Sequence, residues 1–171
     1  MSTDIGTEAP TFSLPDTDGA EHSPGGAPAT LVVFTCNHCP YALAWHDRIA
    51  AIARDYDDVK VLAVSSNDAE RYPRDSFEAM KERVRRDGGW AMPYLRDESQ
   101  EVARAYGAKT TPDVFVVDSG GALRYRGAPD PDYQDPSLNA SWLREALDSL
   151  SAGEDVARPE TDPVGCSVKW K

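Results

Sequence analysis

Leu31-Val32-Val33-Phe34-Thr35-Cys36-Asn37-His38-Cys39-Pro40 is the stretch that decides the fold. Its four leading apolar residues read as a strand buried on both faces. Beyond it, Tyr41, Trp45, Ile49, Ile52 and Tyr56 recur at the spacing of one helical face. Pro40 suits the first turn of that helix, where its missing N–H costs nothing. The C-x-x-C pair therefore sits in the turn from a buried strand into a helix. Unpaired N–H groups and the helix dipole stabilise a thiolate there. A lowered pKa at Cys36 increases the reactive fraction at neutral pH. Cys39, one turn along, is placed to attack a mixed disulfide formed at Cys36. His38, when protonated, would stabilise the Cys36 thiolate and make the pair more oxidising; the alternative is a solvated loop residue.

Working outward, Phe12 and Leu14 alternate with polar residues before the turn chemistry of Pro15-Asp16-Thr17-Asp18-Gly19, which predicts a small hairpin. Val59–Ser65 reads as a second buried strand. Asp75-Ser76-Phe77-Glu78 resembles a capping box opening a helix with Phe77, Met80 and Val84 inward. Gly88-Gly89 ends it, and residues 92–95 form a short extended piece. Asp97 and Gln100 are expected to cap a helix with Val102, Ala105 and Tyr106 inward and Gly107 as its stop. Val114–Val117 and Ala122–Tyr125 read as a hairpin, and Ser137 as the cap of a last helix burying Leu143, Leu147 and Leu150. Without the N-terminal hairpin extension and the insert at residues 67–96, after the second core strand, the order is β-α-β-α-β-β-α. That is an α/β fold with a central mixed sheet flanked by helices. Residues 1–150 are expected to form one domain. Residues 151–171, broken by Gly153, Pro159 and Pro163, read as an irregular tail carrying Cys166.

The chain has 171 residues, one unit at ~150 residues per domain. With 40% hydrophobic and 27% charged residues it is neither a disordered tail, a fibre nor a disulfide-dense miniprotein. Its longest apolar run, residues 29–34, falls far short of the ~18 residues of a membrane span. Met1-Ser2-Thr3-Asp4 has no basic or apolar leader character, so a cytoplasmic location is expected. Eighteen basic and 29 acidic residues give a net charge of −11, which argues against nucleic acid and anionic membranes as partners. Nineteen Asp stand beside 10 Glu, and 13 Arg beside 5 Lys, a bias that fits either a salt-rich cytosol or a GC-rich genome. In a reducing cytosol, Cys36 and Cys39 are catalytic or metal-binding rather than structural. A closed zinc site needs four ligands. The candidates are Cys36, Cys39, His38, His46, His22 and Cys166, with no second C-x-x-C, and His46 reads as a surface residue. No metal and no other cofactor is expected, and a redox-sensing or metal-holding module without turnover is the non-enzymatic alternative.

Thr110-Thr111-Pro112-Asp113 leads into Val114-Phe115-Val116-Val117. Proline before a strand is ordinarily a boundary, but thioredoxin-like proteins carry a cis-proline against the C-x-x-C at this place. The strand–C-x-x-C–helix unit, Thr111-Pro112 and the element order over residues 29–150 resemble the thioredoxin fold. The opening Ala9–Gly19, the insert and the closing Gly165-Cys166-Ser167-Val168-Lys169-Trp170-Lys171 resemble the redoxin (AhpC/TSA-type) branch, most closely a peroxiredoxin-like subgroup. The resemblance implies a thiol–disulfide oxidoreductase with no bound cofactor. Cys36 would be its nucleophile, Cys39 its resolving thiol and Pro112 its cis residue. Thr111 would offer its backbone to an extended substrate strand. Its partners would be protein or small-molecule disulfides and a cellular reductase or thiol donor.

Departures bear on the alternative, a thiol peroxidase. Counted back from Cys39, Val32 and Cys36 occupy the peroxiredoxin Pro and Thr/Ser positions, and Pro112 that of the activating Arg. Peroxide reduction thereby loses its electrostatic support. Arg126 is either a substitute from the next strand or a surface residue. Thr35 and Thr30 stand where thioredoxin has a Trp and a buried acid, which makes Asp113 a candidate for the missing acid. The 15 residues between Leu150 and Cys166 could span ~50 Å. Cys166 is either a third redox thiol, taking the disulfide from Cys36 or Cys39, or a tail cysteine packed beside Trp170.

Overall fold

The computed structural model describes residues 3–171; Met1 and Ser2, part of the stretch read for a leader, lie outside the described residues. A short hairpin, β1 (Leu14–Pro15) and β2 (Glu21–His22), precedes the core. There follow β3 (Ala29–Thr35), α1 (Pro40–Asp55) and β4 (Val59–Ser65). The insert contains a 3-10 turn at Pro73–Asp75 and α2 (Phe77–Arg86) and leads into β5 (Tyr94–Arg96). The chain continues through α3 (Glu101–Tyr106), β6 (Thr110–Thr111), β7 (Asp113–Asp118), β8 (Leu123–Gly127), α4 (Ser141–Ser151) and β9 (Cys166–Ser167).

β3 is central in the sheet β5-β4-β3-β7-β8; it runs parallel to β4 and antiparallel to β7. Its period-2 alternation supplies two cores. Leu31 and Val33 pack with Trp45, Ile49 and Ile52 of α1 and with Leu143, Ala146 and Leu147 of α4. Val32 and Phe34 pack with Val102, Ala103 and Tyr106 of α3. Helices thus cover both faces, as expected for the apolar run in β3. Among the described residues, no helix is long and apolar enough to cross a membrane.

Several helix starts differ from the sequence reading. Ser76, not Asp75, caps α2 and accepts from Ala79 N at 3.1 Å. Asp97 does cap α3, through Ala103 N at 3.0 Å, but Gln100 takes a left-handed φ of 68°. That phase turns Ala103 inward and leaves Ala105 exposed. α4 begins at Ser141 after a left-handed Ala140, whose N–H is held by Asp130 Oδ2 at 3.0 Å. Ser137 instead bonds the Asp135 carboxylate. β8 runs two residues beyond the expected Tyr125, with Arg126 and Gly127 paired to Phe115 and Val114 of β7; a Cβ at Gly127, φ 138°, would collide with Thr161.

The tail is irregular for most of its length but ends docked. Thr161 N donates to Arg126 O, and β9 pairs antiparallel with β6. Val168 is buried in the α3-side core, with Trp170 packed against it. These two apolar residues supply the contact that turns the end of the chain back onto the domain.

A buried ion pair holds the β8–α4 link. Arg48 on α1 reaches Asp130 at 2.9 Å, and Asp130 also accepts from Trp45 Nε1 at 2.9 Å. Arg48 further donates to Asp132 O and Tyr133 O. Removing one partner leaves an uncompensated buried charge. We predict that Asp130→Ala lowers the unfolding free energy by about 3–5 kcal/mol in urea melts. A loss below about 1 kcal/mol, the range of an exposed pair, would refute that role.

Candidate active site

β3 delivers Cys36 at its end, and α1 starts with Cys39 as its N-cap and Pro40 in the first turn. The turn between them is fixed largely by the insert. Asn37 N donates to Asp75 Oδ1 at 2.7 Å, and Asn37 Nδ2 donates to Arg74 O at 2.8 Å. Asn37 Oδ1 accepts from Tyr94 Oη at 2.8 Å and from Arg83 at 3.1 Å. Arg83 also donates to Cys36 O at 3.1 Å. Every polar group of the Asn37 side chain is therefore engaged, which leaves the loop little freedom.

Both sulfurs are buried, Cys36 at 1% and Cys39 at 0% exposure. Both meet Thr111. Cys36 Sγ lies 3.4 Å from Thr111 Oγ1, and the Cys39 thiol donates to Thr111 O at 3.1 Å. The Thr111–Pro112 bond is cis. Cys166 packs on Cys36, Cys39 and Ala42, and all three cysteines are free thiols. Thr111, whose backbone was expected to receive a substrate strand, is already paired with Cys166 of β9.

The helix terminus acts on Cys39 rather than on Cys36. A hydrogen bond from Cys36 lowers the Cys39 pKa most, against burial, and the N–H of Ala42 and the Cys166 thiol lower it further. The Thr111 side chain adds to this lowering, while the Thr111 carbonyl, which accepts from the thiol, favours the protonated form. Cys36 shifts upward, through the hydrogen bond with Cys39 and then burial. Burial, followed by Cys39, raises Cys166. The downward shift thus falls on Cys39 of the hydrogen-bonded pair, whereas the sequence reading placed it on Cys36.

Asp75 is the site residue that sequence reasoning missed, having assigned it to a helix cap. It has 0% exposure. Its Oδ2 accepts from Asn67 Nδ2 at 2.9 Å and lies 2.6 Å from His38 Nδ1, close in distance although poorly aligned as a hydrogen bond. His38 also stacks on Tyr72 with ring centroids 5.8 Å apart, so it is not a freely solvated loop residue. Two adjacent residues able to cap a helix, Asp75 and Ser76, were the available signal, since one helix needs one cap. Asp113, the acid expected from sequence, bonds Lys109 N, and burial pushes its pKa up to about 6. Arg126 is neither a surface residue nor on the sulfurs: it binds Thr3 O at 2.7 Å and covers the Phe115 ring.

The six candidate ligands divide. His22 pairs with Asp16 in the hairpin, and His46 is half-buried against Trp90, with burial lowering its pKa. Cys36, His38 and Asp75 each bring one donor atom within 4.8 Å of the others, so these are the residues a cation would use. A cavity of about 510 Å³ lined by His46, Arg83 and Trp90 contains no sulfur. One of about 240 Å³ is lined by Asn37, Arg74, Arg83 and Arg86, bordering the loop.

The AhpC/TSA family model matches residues 5–126. A hypothetical protein from Sinorhizobium meliloti 1021 is 36% identical, with 100% of this chain and 97% of that chain covered and a TM-score of 0.91. An uncharacterized conserved protein from Geobacillus kaustophilus is 38% identical over 98% of this chain and 93% of its own, also at 0.91. A putative thioredoxin from Neisseria meningitidis is 26% identical over 89% and 94%, at 0.68. No curated protein matches the chain. With a thioredoxin-like sheet and a family match across most of its length, the chain belongs to the AhpC/TSA family of thioredoxin-like redoxins.

Proposed function

We propose that the protein is a thiol–disulfide oxidoreductase whose working pair is Cys36 and Cys39. The observation carrying this reading is the single buried cluster in which both sulfurs meet Thr111 while Cys39 receives the helix-terminal N–H. A thiolate, not a thiol, attacks a disulfide. Cys39 therefore makes the first bond to a protein or small-molecule disulfide, reversing the order that the family resemblance implies. Cys36 then attacks Cys39 and closes the internal disulfide. The substrate gains two electrons and, with the two protons of the dithiol, leaves as thiols. His38, held by Asp75, stands beside Cys36 to carry its proton.

A thiol peroxidase is the second reading, favoured by the family match and by the acidic Cys39. Against it, the arginine at the site, Arg83, binds the Cys36 carbonyl rather than a sulfur. Stopped-flow reaction with hydrogen peroxide, set beside reduction of a disulfide, separates the two.

Ultraviolet thiolate absorbance tests the first step. The reduced protein is expected to carry one thiolate at pH 7 that is lost on acidification. Cys39→Ser should abolish it. Cys36→Ser should retain it at a higher pH, because one donor is gone while Ala42 N–H stays. An acid transition unchanged in Cys39→Ser would sink the assignment.

Asp75 acts through His38, as a positioning residue. Asp75→Asn and His38→Gln are each expected to slow disulfide exchange by about 10²-fold and to shift the pH–rate profile in the same direction. The double variant should lose little more than either single one, because the two act as a unit. Additive losses would refute the pairing.

A further inference from the structure

Cys166 lies outside the C-x-x-C, yet the fold fixes it against that pair from both directions. On one side, a Cβ added to Gly165 would stand 2.2 Å from Thr111 O, so only glycine lets the tail come this close. At Cys166 itself the register is Thr111 with Cys166 and Thr110 with Ser167. On the other side, Val168 N donates to Lys109 O at 3.1 Å, and Lys169 N donates to Asn67 Oδ1 at 2.9 Å. Lys169 O accepts from Asp68 N and from Gln100 Nε2. Asn67 is the residue that also holds Asp75, so one side chain ties the tail to the acid beneath the active turn. Val168, 4% exposed, anchors the segment in the core.

Burial ranks the three sulfurs. Cys36 and Cys39 are closed off, whereas Cys166 is only partly covered. On its inner side it packs against the cluster of Cys36, Cys39 and Ala42. A thiol that packs on the pair and is itself less covered than either of its members is placed to pass a disulfide outward.

We propose that Cys166 is the third thiol of the relay, attacking the Cys39 sulfur of the Cys36–Cys39 disulfide and carrying that disulfide to the surface. The proposal rests on the reading of Cys36 and Cys39 as the working pair. In the step, a Cys166–Cys39 bond forms and the Cys36–Cys39 bond breaks. Cys36 leaves and takes up the proton that Cys166 gave up, with His38 beside Cys36 as carrier. One disulfide replaces another, so the step needs no outside oxidant or reductant. An external thiol, of a small molecule or a protein, then attacks Cys166 and releases Cys39. A second such thiol frees Cys166, and the two donor thiols leave joined as a disulfide.

The test uses the full chain, oxidised glutathione as the probe, acid quenching and non-reducing peptide mapping. In wild type, a Cys39–Cys166 bond should be trapped alongside Cys36–Cys39. In Cys36→Ser, Cys39–Cys166 should form and leave glutathione on less than about a tenth of the chains, because the internal thiol displaces it. Cys166→Ser should still close Cys36–Cys39, but reduced glutathione should reopen that disulfide about tenfold more slowly than in wild type. Gly165→Val, which displaces the tail without touching a thiol, should lose Cys39–Cys166 and keep Cys36–Cys39. Absence of Cys39–Cys166 from wild type, with glutathione retained on Cys39 in Cys36→Ser, overturns the third-thiol role. If Cys166→Ser still closes Cys36–Cys39 in that case, the dithiol reading survives. Failure of Cys166→Ser to close Cys36–Cys39 overturns the dithiol reading and the relay with it. The wild-type trap decides the matter even if a variant fails to fold.

Discussion

A carboxylate sealed from water sits beneath the active turn, and the arrangement of the site depends on it. An unpaired buried charge would be costly, and Asp75 avoids that cost by engaging Asn37 N, Asn67 Nδ2 and His38 together. Each of those partners belongs to a different task. Asn37 shapes the C-x-x-C loop, His38 stands beside Cys36, and Asn67 reaches the C-terminal tail. The insert after β4 is therefore built into the C-x-x-C turn, supplying Arg74, Asp75 and Arg83 as its hydrogen-bond partners.

Local patterns made much of the architecture legible. Continuous apolar runs in β3 and β4, and the helical stripe from Tyr41 to Tyr56, carry their own periodicity, so the strand–turn–helix unit and the mixed sheet follow from sequence. Helix starts were less legible wherever the backbone enters through a left-handed residue, at Gln100 and Ala140, because neither is a residue type that announces that conformation.

The site was readable to the extent that its parts were local. Cys36, His38 and Cys39 lie in one turn, and Thr111-Pro112 marks a strand start. Asp75 was misread because its capping-like neighbourhood is a local signal, whereas its partners lie 38 positions away at Asn37 and in the buried turn. The position of Cys166 was beyond periodicity altogether, since a two-residue strand has no pattern to repeat. Helix polarity reaches Cys39, because the first helical residue is Pro40 and the cap is therefore Cys39, one turn beyond the sulfur on which the sequence reading had it act.

The pairing of β9 with β6 has a consequence for selectivity. A bare strand edge beside reactive sulfur is a template for any extended polypeptide, including a misfolded one. Here that edge is spoken for by the protein's own terminus, and an intruding chain must compete with a tethered occupant whose local concentration is on the order of millimolar. A compact thiol, by contrast, needs no backbone ladder and so has no strand to displace.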